Sequence, residues 1–571
     1  MEEATWKTLV QATFDRATWV IGHSLPGDLD QMLVNGMNLP SGWITGEKCL
    51  DSLLLSRMAD ENRLSYGLED LSCTVLGAEP WKSASEAEMS SPGNMLSVSP
   101  AVRKERCRLD AWWARRLSEH AIHQLRSALI PRSLVMFTHR TAWTIHRLCL
   151  AGAVVDLPEF DRMAEGVLLN TAAVESRLRG EGNTDESFAP SNDHHVRALL
   201  YDQLGLDPPG YSKKSGLPSV TKASLAALAP HPLARLLIEF SRWDKLRSTY
   251  VAGLSGLIVP AGEGRGWLRW HINPLGTRTG RRSSDRPNSQ NWPASVRRII
   301  RSRWPGGQIL DADYSRLEPV VLGWLAGDSR FLLAFTKGKG YVDVAKWLFN
   351  KTVEEEGKEY KAAKAIVLGT NYGMGVDKLA ASLGTSYSEA VRLRSTYFKT
   401  FPSLRTYMDD RRAELLASGQ VVSPTGRVRR LPVPDGENTP GFGHLLNEAI
   451  NFPIQSFAAD ITGSALVDVE AALLSEHNQT LTDHHRKLVE IEKSLTNGYG
   501  LGIVESVGLG SLVENEVHDS LVADLHPANP ERDTEIIVET MRAVPTLRRL
   551  VPAFDAHLNV KTVRGERWGG G

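Results

Sequence analysis

Residues 307–328, GQILDADYSRLEPVVLGWLAGD, constrain the fold more than any other stretch of this chain. A β-prone, apolar lead-in (Ile309, Leu310) runs into Asp311 and Asp313 and then directly into a helical pattern. Side chains alternate faces along a strand, so Asp311 and Asp313 share a face, with Asp313 at the strand's end. An acid on such a rigid edge, facing a cleft, can hold a divalent cation without disturbing the core. Taken alone, the pattern also fits an ordinary strand–helix corner with solvated acids. Other stretches decide between the two.

A chain of 571 residues exceeds one ordinary core and implies about two to four domains. Its 42% hydrophobic and 23% charged residues describe a globular protein. The net charge of −1 leaves room for a local basic groove inside a neutral total. Cys49, Cys73, Cys107 and Cys149 lack CxxC spacing and are expected to be buried thiols of a reducing compartment, neither disulfides nor a zinc site. The opening MEEATWKTLVQ has no basic segment followed by an apolar one, and no run of 18 apolar residues occurs, so neither secretion nor a membrane span is expected.

The densest positive charge lies at 268–303. Arg278, Arg281, Arg282, Arg286, Arg297, Arg298, Arg301 and Arg303 stand there against one acid, Asp285, among Ser, Asn and Gln. That mixture suits a phosphate backbone with some base-edge contact. Residues 212–254 place a basic, glycine-punctuated turn before a long amphipathic pattern ending in Lys245, Arg247 and Tyr250. Residues 354–375 read as a helix interrupted at Gly369 and closed by Gly373 and Gly375. On it Lys364, Leu368 and Tyr372 share one face, with Lys361 close by. Cations facing a cleft suit a nucleoside triphosphate, and a terminal aromatic can stack on a base. Residues 447–473 read as a long helix, and 511–526 as two alternating apolar runs joined at His518 and Asp519, a hairpin.

In this order the stretches resemble family A (DNA polymerase I-type) DNA polymerases. TGR-x-SS and PN-x-QN-x-P appear as TGRRSS and PNSQNWP, DYS-x-hydrophobic-E as Asp313-Tyr314-Ser315-Arg316-Leu317-Glu318, and NFPIQ and Val-His-Asp follow. The resemblance implies that Asp313 and Asp519 bind two Mg2+ ions, with Mn2+ as a substitute and the Tyr314 carbonyl as a further ligand. It makes Glu318 a steric gate against a ribose 2′-hydroxyl and leaves Asp311 in support. Arg281, Asn288, Gln290, Asn291, Asn451 and Gln455 would contact the primer–template, with Arg281 probing its minor groove. His518 would position the primer terminus, and Lys245 would grip the duplex from a thumb helix beside Arg247 and Tyr250. The family's fingers helix reads R-xxx-K-xxx-F-xxx-YG, which Lys364, Tyr372 and Gly373 match. Lys364 then supplies charge, and a proton, to the departing pyrophosphate. Tyr360 stands at the Arg position and Leu368 at the aromatic one, so Lys361 or Lys358 is expected to take over a triphosphate contact. Residues 474–510 exceed what the family needs there and read as an insertion. The tail NVKTVRGERW resembles the closing strand.

Residues 17–125 resemble the 3′–5′ exonuclease domain attached to many such enzymes. Asp28 and Asp110 match metal-binding acids, Ser24 replaces a usual Asn, and Arg106 stands where the family has a water-orienting Tyr. The Asp-x-Glu of the first exonuclease motif is not found ahead of Asp28. Two-metal cleavage needs several converging carboxylates, so this domain is expected to lack activity unless a separate chain completes it. The serine-rich stretch 83–100 reads as a mobile loop of the same domain.

The expected fold is α+β and multidomain. A truncated RNase H-like unit (1–125) precedes a right-hand polymerase: thumb and start of palm (126–306), first metal motif of the palm (307–330), fingers (331–425), and second metal motif with the closing strand (426–571). The expected reaction is template-directed addition of dNTPs to a primer 3′-hydroxyl, in the cytoplasm of a phage-infected bacterium, the phage origin resting on Leu368, Ser520 and the lack of a 5′-nuclease domain. Replisome partners are not legible. The alternatives are a single-subunit RNA polymerase-like enzyme, which shares a His-Asp-Ser hairpin but not Glu318, a 3′–5′ exonuclease whose C-terminal part holds DNA, and a non-catalytic DNA-binding scaffold.

Overall fold

A computed structural model describes residues 3–91, 93–434, 439–496 and 508–570. Its organising element is a four-stranded antiparallel sheet in the order Leu512–Val517, Ser520–Leu525, Gln308–Tyr314, Val560–Gly565. The Gln308–Tyr314 strand has a neighbour on each side, so two hydrogen-bond ladders fix its backbone. Asp313 stands opposite Ser520 on one side and Lys561 on the other. Leu310, Ala312 and Tyr314 are buried, and the Tyr314 hydroxyl donates to the Met541 carbonyl (2.5 Å) on the helix Pro530–Ala543 behind the sheet. The opposite face carries Asp311 and Asp313, as strand alternation requires.

Behind the sheet runs a helix longer than expected, the 35-residue Phe442–Glu476. Buried carboxylates on it are all satisfied, as burial demands: Asp460 accepts from Arg427 (2.8 Å), Glu470 from Arg147 (2.6 Å), and Asp468 from Ser464 (2.8 Å) and Thr546. A second four-stranded sheet (Val259–Pro260, Arg265–Leu268, Ala153–Asp156, Ile300–Arg301) is tied to the first where Arg567 donates to Asp156 (2.7 Å). The expected fingers are helices, among them Tyr341–Phe349 and Lys358–Asn371. Phe331, Phe335, Tyr341, Tyr360, Ile366, Tyr397 and Phe401 join them to the core of the central sheet. Gly369 does not interrupt its helix. The Met374 sulfur would lie 3.0 Å from a Cβ at that position, so the glycine serves a close approach. The expected thumb packs Leu157–Gly182 on Pro232–Lys245 over its own core of Val174, Leu178, Leu199, Leu236 and Phe240.

The N-terminal unit holds, among the described residues, a parallel pair of strands (Val20–Gly22 with Cys49–Asp51), and the long helix Pro100–Ser127 closes it. The serine-rich stretch is not an open loop: it contains the helix Ser83–Glu88 and a 3-10 turn, Met95–Ser97. Serines there accept or donate within the unit, so composition misled; Arg106 donates to the Ser85 hydroxyl (2.7 Å). The insertion contributes the helix Leu481–Thr496, while 497–507 lie outside the described residues. His485 on this helix (2.9 Å) and His146 (2.6 Å) both bond Asp30 of the N-terminal unit. Burial opposes ionisation of Asp30, but those two hydrogen bonds prevail and bring its carboxyl down to about 2. None of the four cysteines is in a disulfide, yet only Cys49 and Cys149 are buried. Cys73 is half-buried and Cys107, on the outer face of its helix, is exposed.

Candidate active site

Asp313 lies one residue before the end of its strand, its residue surface open but its carboxyl set down among neighbouring side chains, and Asp519 follows His518 at the hairpin tip, where His518 turns the chain at φ +56°. The Tyr314 N–H donates to the Asp519 carbonyl (3.0 Å), which fixes the tip against the strand end. Burial and then the neighbouring Asp311 push the Asp313 carboxyl up to about 6, against the pull of Lys561 and Arg297. Burial also lifts Asp519 to about 6. Arg281 opposes that shift, and the negative charges of Glu318, Asp313 and Glu516 reinforce it. Negative charge thus converges here beyond what the protein's own cations balance.

Asp311 is differently placed. The Ser520 hydroxyl and the Trp568 indole N–H (2.9 Å) donate to it, and the Arg297 guanidinium lies 3.8 Å away, so it braces the sheet. Among the described residues no group of three or more His, Cys, Asp or Glu side chains is arranged to hold a metal ion. Mg2+, however, is commonly held by one or two carboxylates, with water and substrate phosphates completing its shell. Two under-compensated carboxylates and a strand-end carbonyl fit that requirement.

Glu318 lies in the first turn of the helix Leu317–Leu325 and pairs with Arg281 across the cleft. The basic segment is less open than its composition suggests. Arg282 is buried against Glu516 and donates to the Ala459 carbonyl (2.7 Å), and Arg303 is buried against Asp524 (2.8 Å). Arg297 stacks 4.9 Å from the Trp568 ring, and Arg301 lies 3.5 Å from Asp156. Arg278, Arg286 and Arg298 remain exposed. The correction has a simple cause: charge counting cannot see acids that distant strands bring beside an arginine.

Asn288 and Asn291 are exposed and bonded to each other (3.1 Å), with Gln290 half-buried between them. Asn451 and Gln455 are half-buried on the long helix, and the Asn451 Oδ1 has no partner. His518 is exposed at the tip, and desolvation of its ring, then Arg281 and Arg297, lower its pKa against the pull of Glu516. Lys245 is exposed, whereas Arg247 pairs with Asp244 (2.6 Å). Tyr250 does not reach a groove: it is buried and its hydroxyl donates to the Asn291 carbonyl (3.0 Å).

On the helix Lys358–Asn371, the side chains of Lys358, Lys361 and Lys364 are exposed and Leu368 is half-buried, with Tyr372 half-buried at the C-cap. The Lys364 ammonium lies 5.9 Å from the Tyr341 ring. Tyr360 is buried edge-on against the same ring (5.9 Å between centroids), so this position is part of the core.

The N-terminal acids form a second cluster. Asp28 is exposed, and burial and then the charges of Asp51 and Asp110 raise its pKa. Asp110 accepts from the Trp81 indole N–H (2.8 Å) and lies 3.8 Å from Arg106. Asp51, which sequence reading missed, accepts from the backbone N–H groups of Ser24 (2.9 Å), Leu25 (3.0 Å) and Leu53 (2.9 Å). Its signal was present: an Asp immediately before the apolar run SLLLSRM is an N-cap pattern.

A family model described as DNA polymerase family A matches residues 170–570. The thermostable DNA polymerase I of Thermus filiformis is 32% identical over 323 residues, covering 55% of this chain and 38% of that protein. DNA polymerase I of Geobacillus stearothermophilus is 28% identical over 447 residues, 77% of this chain and 46% of that protein. The match therefore spans less than half the length of these curated relatives. Among solved structures, the POL domain of Pol1 from M. smegmatis, in complex with DNA primer-template and dNTP, superposes with a TM-score of 0.72 at 22% identity. It covers 94% of this chain and 84% of that one, and the likeness establishes the shared fold.

Proposed function

The chain belongs to DNA polymerase family A, and we propose that it extends a DNA primer by template-directed addition of dNTPs. The observation that carries this reading is the placement of Asp313 and Asp519 together at one end of the two inner strands, with the helix Lys358–Asn371 presenting an exposed Lys364. Asp313, Asp519 and the Tyr314 carbonyl would hold two divalent cations, Mg2+ or in substitution Mn2+, whose charge favours both the attacking and the leaving oxygen. The rest falls to the chain's own groups. Asn451, Gln455, Asn288, Gln290, Asn291 and Arg281 contact the primer–template, and Lys245 meets its backbone farther out. His518 positions the primer 3′-hydroxyl for attack on the α-phosphate. Lys361 and Lys364 face the triphosphate, Lys364 supplies charge and a proton to the departing pyrophosphate, and Leu368 and Tyr372 meet the base. Asp313 and Asp519 act as acceptors, not as general acids or bases.

Glu318 favours DNA over RNA synthesis, because a carboxylate beneath the sugar leaves no room for a 2′-hydroxyl. The N-terminal unit is read as a 3′–5′ exonuclease-like domain without activity, since Asp110 is engaged by Trp81 and Arg106 and Asp51 by backbone N–H groups, which leaves Asp28 as the one acid of the three open to a cation. Leu368 and Ser520, variants of the family pattern, support a role in phage DNA replication in the infected host's cytoplasm. Among the described residues no helix is long and apolar enough to cross a membrane.

The test is primer extension by the purified protein. Template-dependent extension with dNTPs, little with rNTPs, and no shortening of a 5′-labelled strand from its 3′ end are expected. Equal use of rNTPs would favour the RNA polymerase reading, and 3′ shortening without extension the exonuclease one.

A further inference from the structure

Arg316 occupies the variable position of the Asp313–Glu318 motif, and its environment is unusual. Its backbone is left-handed (φ +62°, ψ +39°) at the start of the helix Leu317–Leu325. An L side chain adopts that region at a cost, so the surroundings must hold it there. The side chain is half-buried, and among the described residues no carboxylate pairs with it. This contrasts with Arg281, which pairs with Glu318 two residues along the same motif.

The Arg316 guanidinium lies 5.9 Å from the Tyr341 ring, the same distance at which Lys364 approaches that ring. Gly340 makes the space: a Cβ there would collide with the guanidinium. The charge also reaches Tyr360. Burial raises that hydroxyl's pKa, Glu356 adds to the shift, and Arg316 lowers it. One ring therefore has a palm cation and a fingers cation beside it, next to a helix position filled by a buried Tyr. Lys358 is less well directed, since it lies beside Glu354, Glu355 and Glu356 in sequence.

We propose that Arg316 binds the phosphates of the incoming nucleotide from the palm side, opposite Lys364, as a further cation of the triphosphate site beside the two fingers lysines. Guanidinium suits this task, because its planar fork donates to two phosphate oxygens at once. The inference rests on the polymerase reading above, but can be tested apart from it.

Binding of a fluorescent dATP analogue is measured for wild type, Arg316→Ala and Arg316→Lys, with extension kinetics and primer–template affinity measured alongside. The expected result is an apparent dNTP affinity 10- to 100-fold weaker in Arg316→Ala, on the order of a lost charge-assisted phosphate contact. Inhibition by pyrophosphate should weaken in parallel, DNA affinity and melting temperature should stay within error, and Arg316→Lys should recover a large part of the loss. Unchanged dNTP and pyrophosphate affinity in Arg316→Ala overturns the inference. So does a loss that Lys does not relieve and that accompanies a lowered melting temperature, which marks a purely structural role. A wild type that binds the analogue through Arg316 but extends no primer would sink the polymerase reading and leave this one standing.

Discussion

Two groups of carboxylates lie in different parts of this molecule, and the protein treats them in opposite ways. In the N-terminal unit, Asp51 accepts three backbone N–H groups and Asp110 an indole N–H, with an arginine close by. At one end of the two inner strands of the central sheet, burial pushes the Asp313 and Asp519 carboxyls up to about 6, helped by Asp311 at the first and by Glu318, Asp313 and Glu516 at the second. Satisfied acids stabilise a fold; under-compensated acids are costly and persist where a ligand is to be met. The contrast separates Asp51 and Asp110, which have become structural, from Asp313 and Asp519, which are kept for chemistry; Asp28, its pKa raised by burial and by Asp51 and Asp110, is the one N-terminal acid of the three left uncompensated.

The largest effect expected to sharpen this comparison is at that end of the inner strands. Asp313→Asn or Asp519→Asn should each lower primer extension by about 10^3-fold or more without loss of folded protein. Synthesis surviving in either variant would remove the proposed metal site. The gate comes next. Glu318→Ala should raise rNTP use relative to dNTP use by on the order of 10-fold, as read from competing incorporation on one template, and it releases Arg281 from its partner.

The N-terminal cluster should respond in stability and not in chemistry. Asp51→Ala leaves three backbone N–H groups, one buried and two part-buried, without an acceptor and should cost about 2 kcal/mol in denaturant unfolding. Asp28→Ala and Asp110→Ala should have the smallest effects, with synthesis unchanged and 3′ degradation at background. Degradation that these variants abolish would show a working exonuclease and erase the contrast.

The central strand, the hairpin tip and the long helix were legible because each joins a periodic apolar pattern to a motif of several residues. Tyr250 and Arg282 were not. A tyrosine or arginine reads as a groove contact in a basic segment, and only tertiary pairing with Asn291 or Glu516 shows that it is core. Arg316 lay in plain view within a quoted motif, but its meaning depends on Gly340 and Tyr341, which no local pattern links to it. The insertion could not be interpreted for the same reason. Its His485 meets Asp30 across 455 residues of chain and helps fasten the N-terminal unit to the rest.

The central claim is that Asp313 and Asp519 are held for a cation, and Mn2+ binding as a function of pH tests it most directly. Both carboxyls lie near 6 in the folded protein and lower in the unfolded one. The folded state therefore binds more protons between about pH 4 and 6, and without metal these groups make it less stable as pH rises through that window. Protons and Mn2+ compete for the same oxygens. With a chain-terminated primer–template and the matching dNTP bound, Mn2+ affinity should rise by up to about 100-fold from pH 5 to 7.5 and then level off. Asp313→Asn with Asp519→Asn should remove that rise. An affinity independent of pH, or one that the double variant retains, would contradict the account.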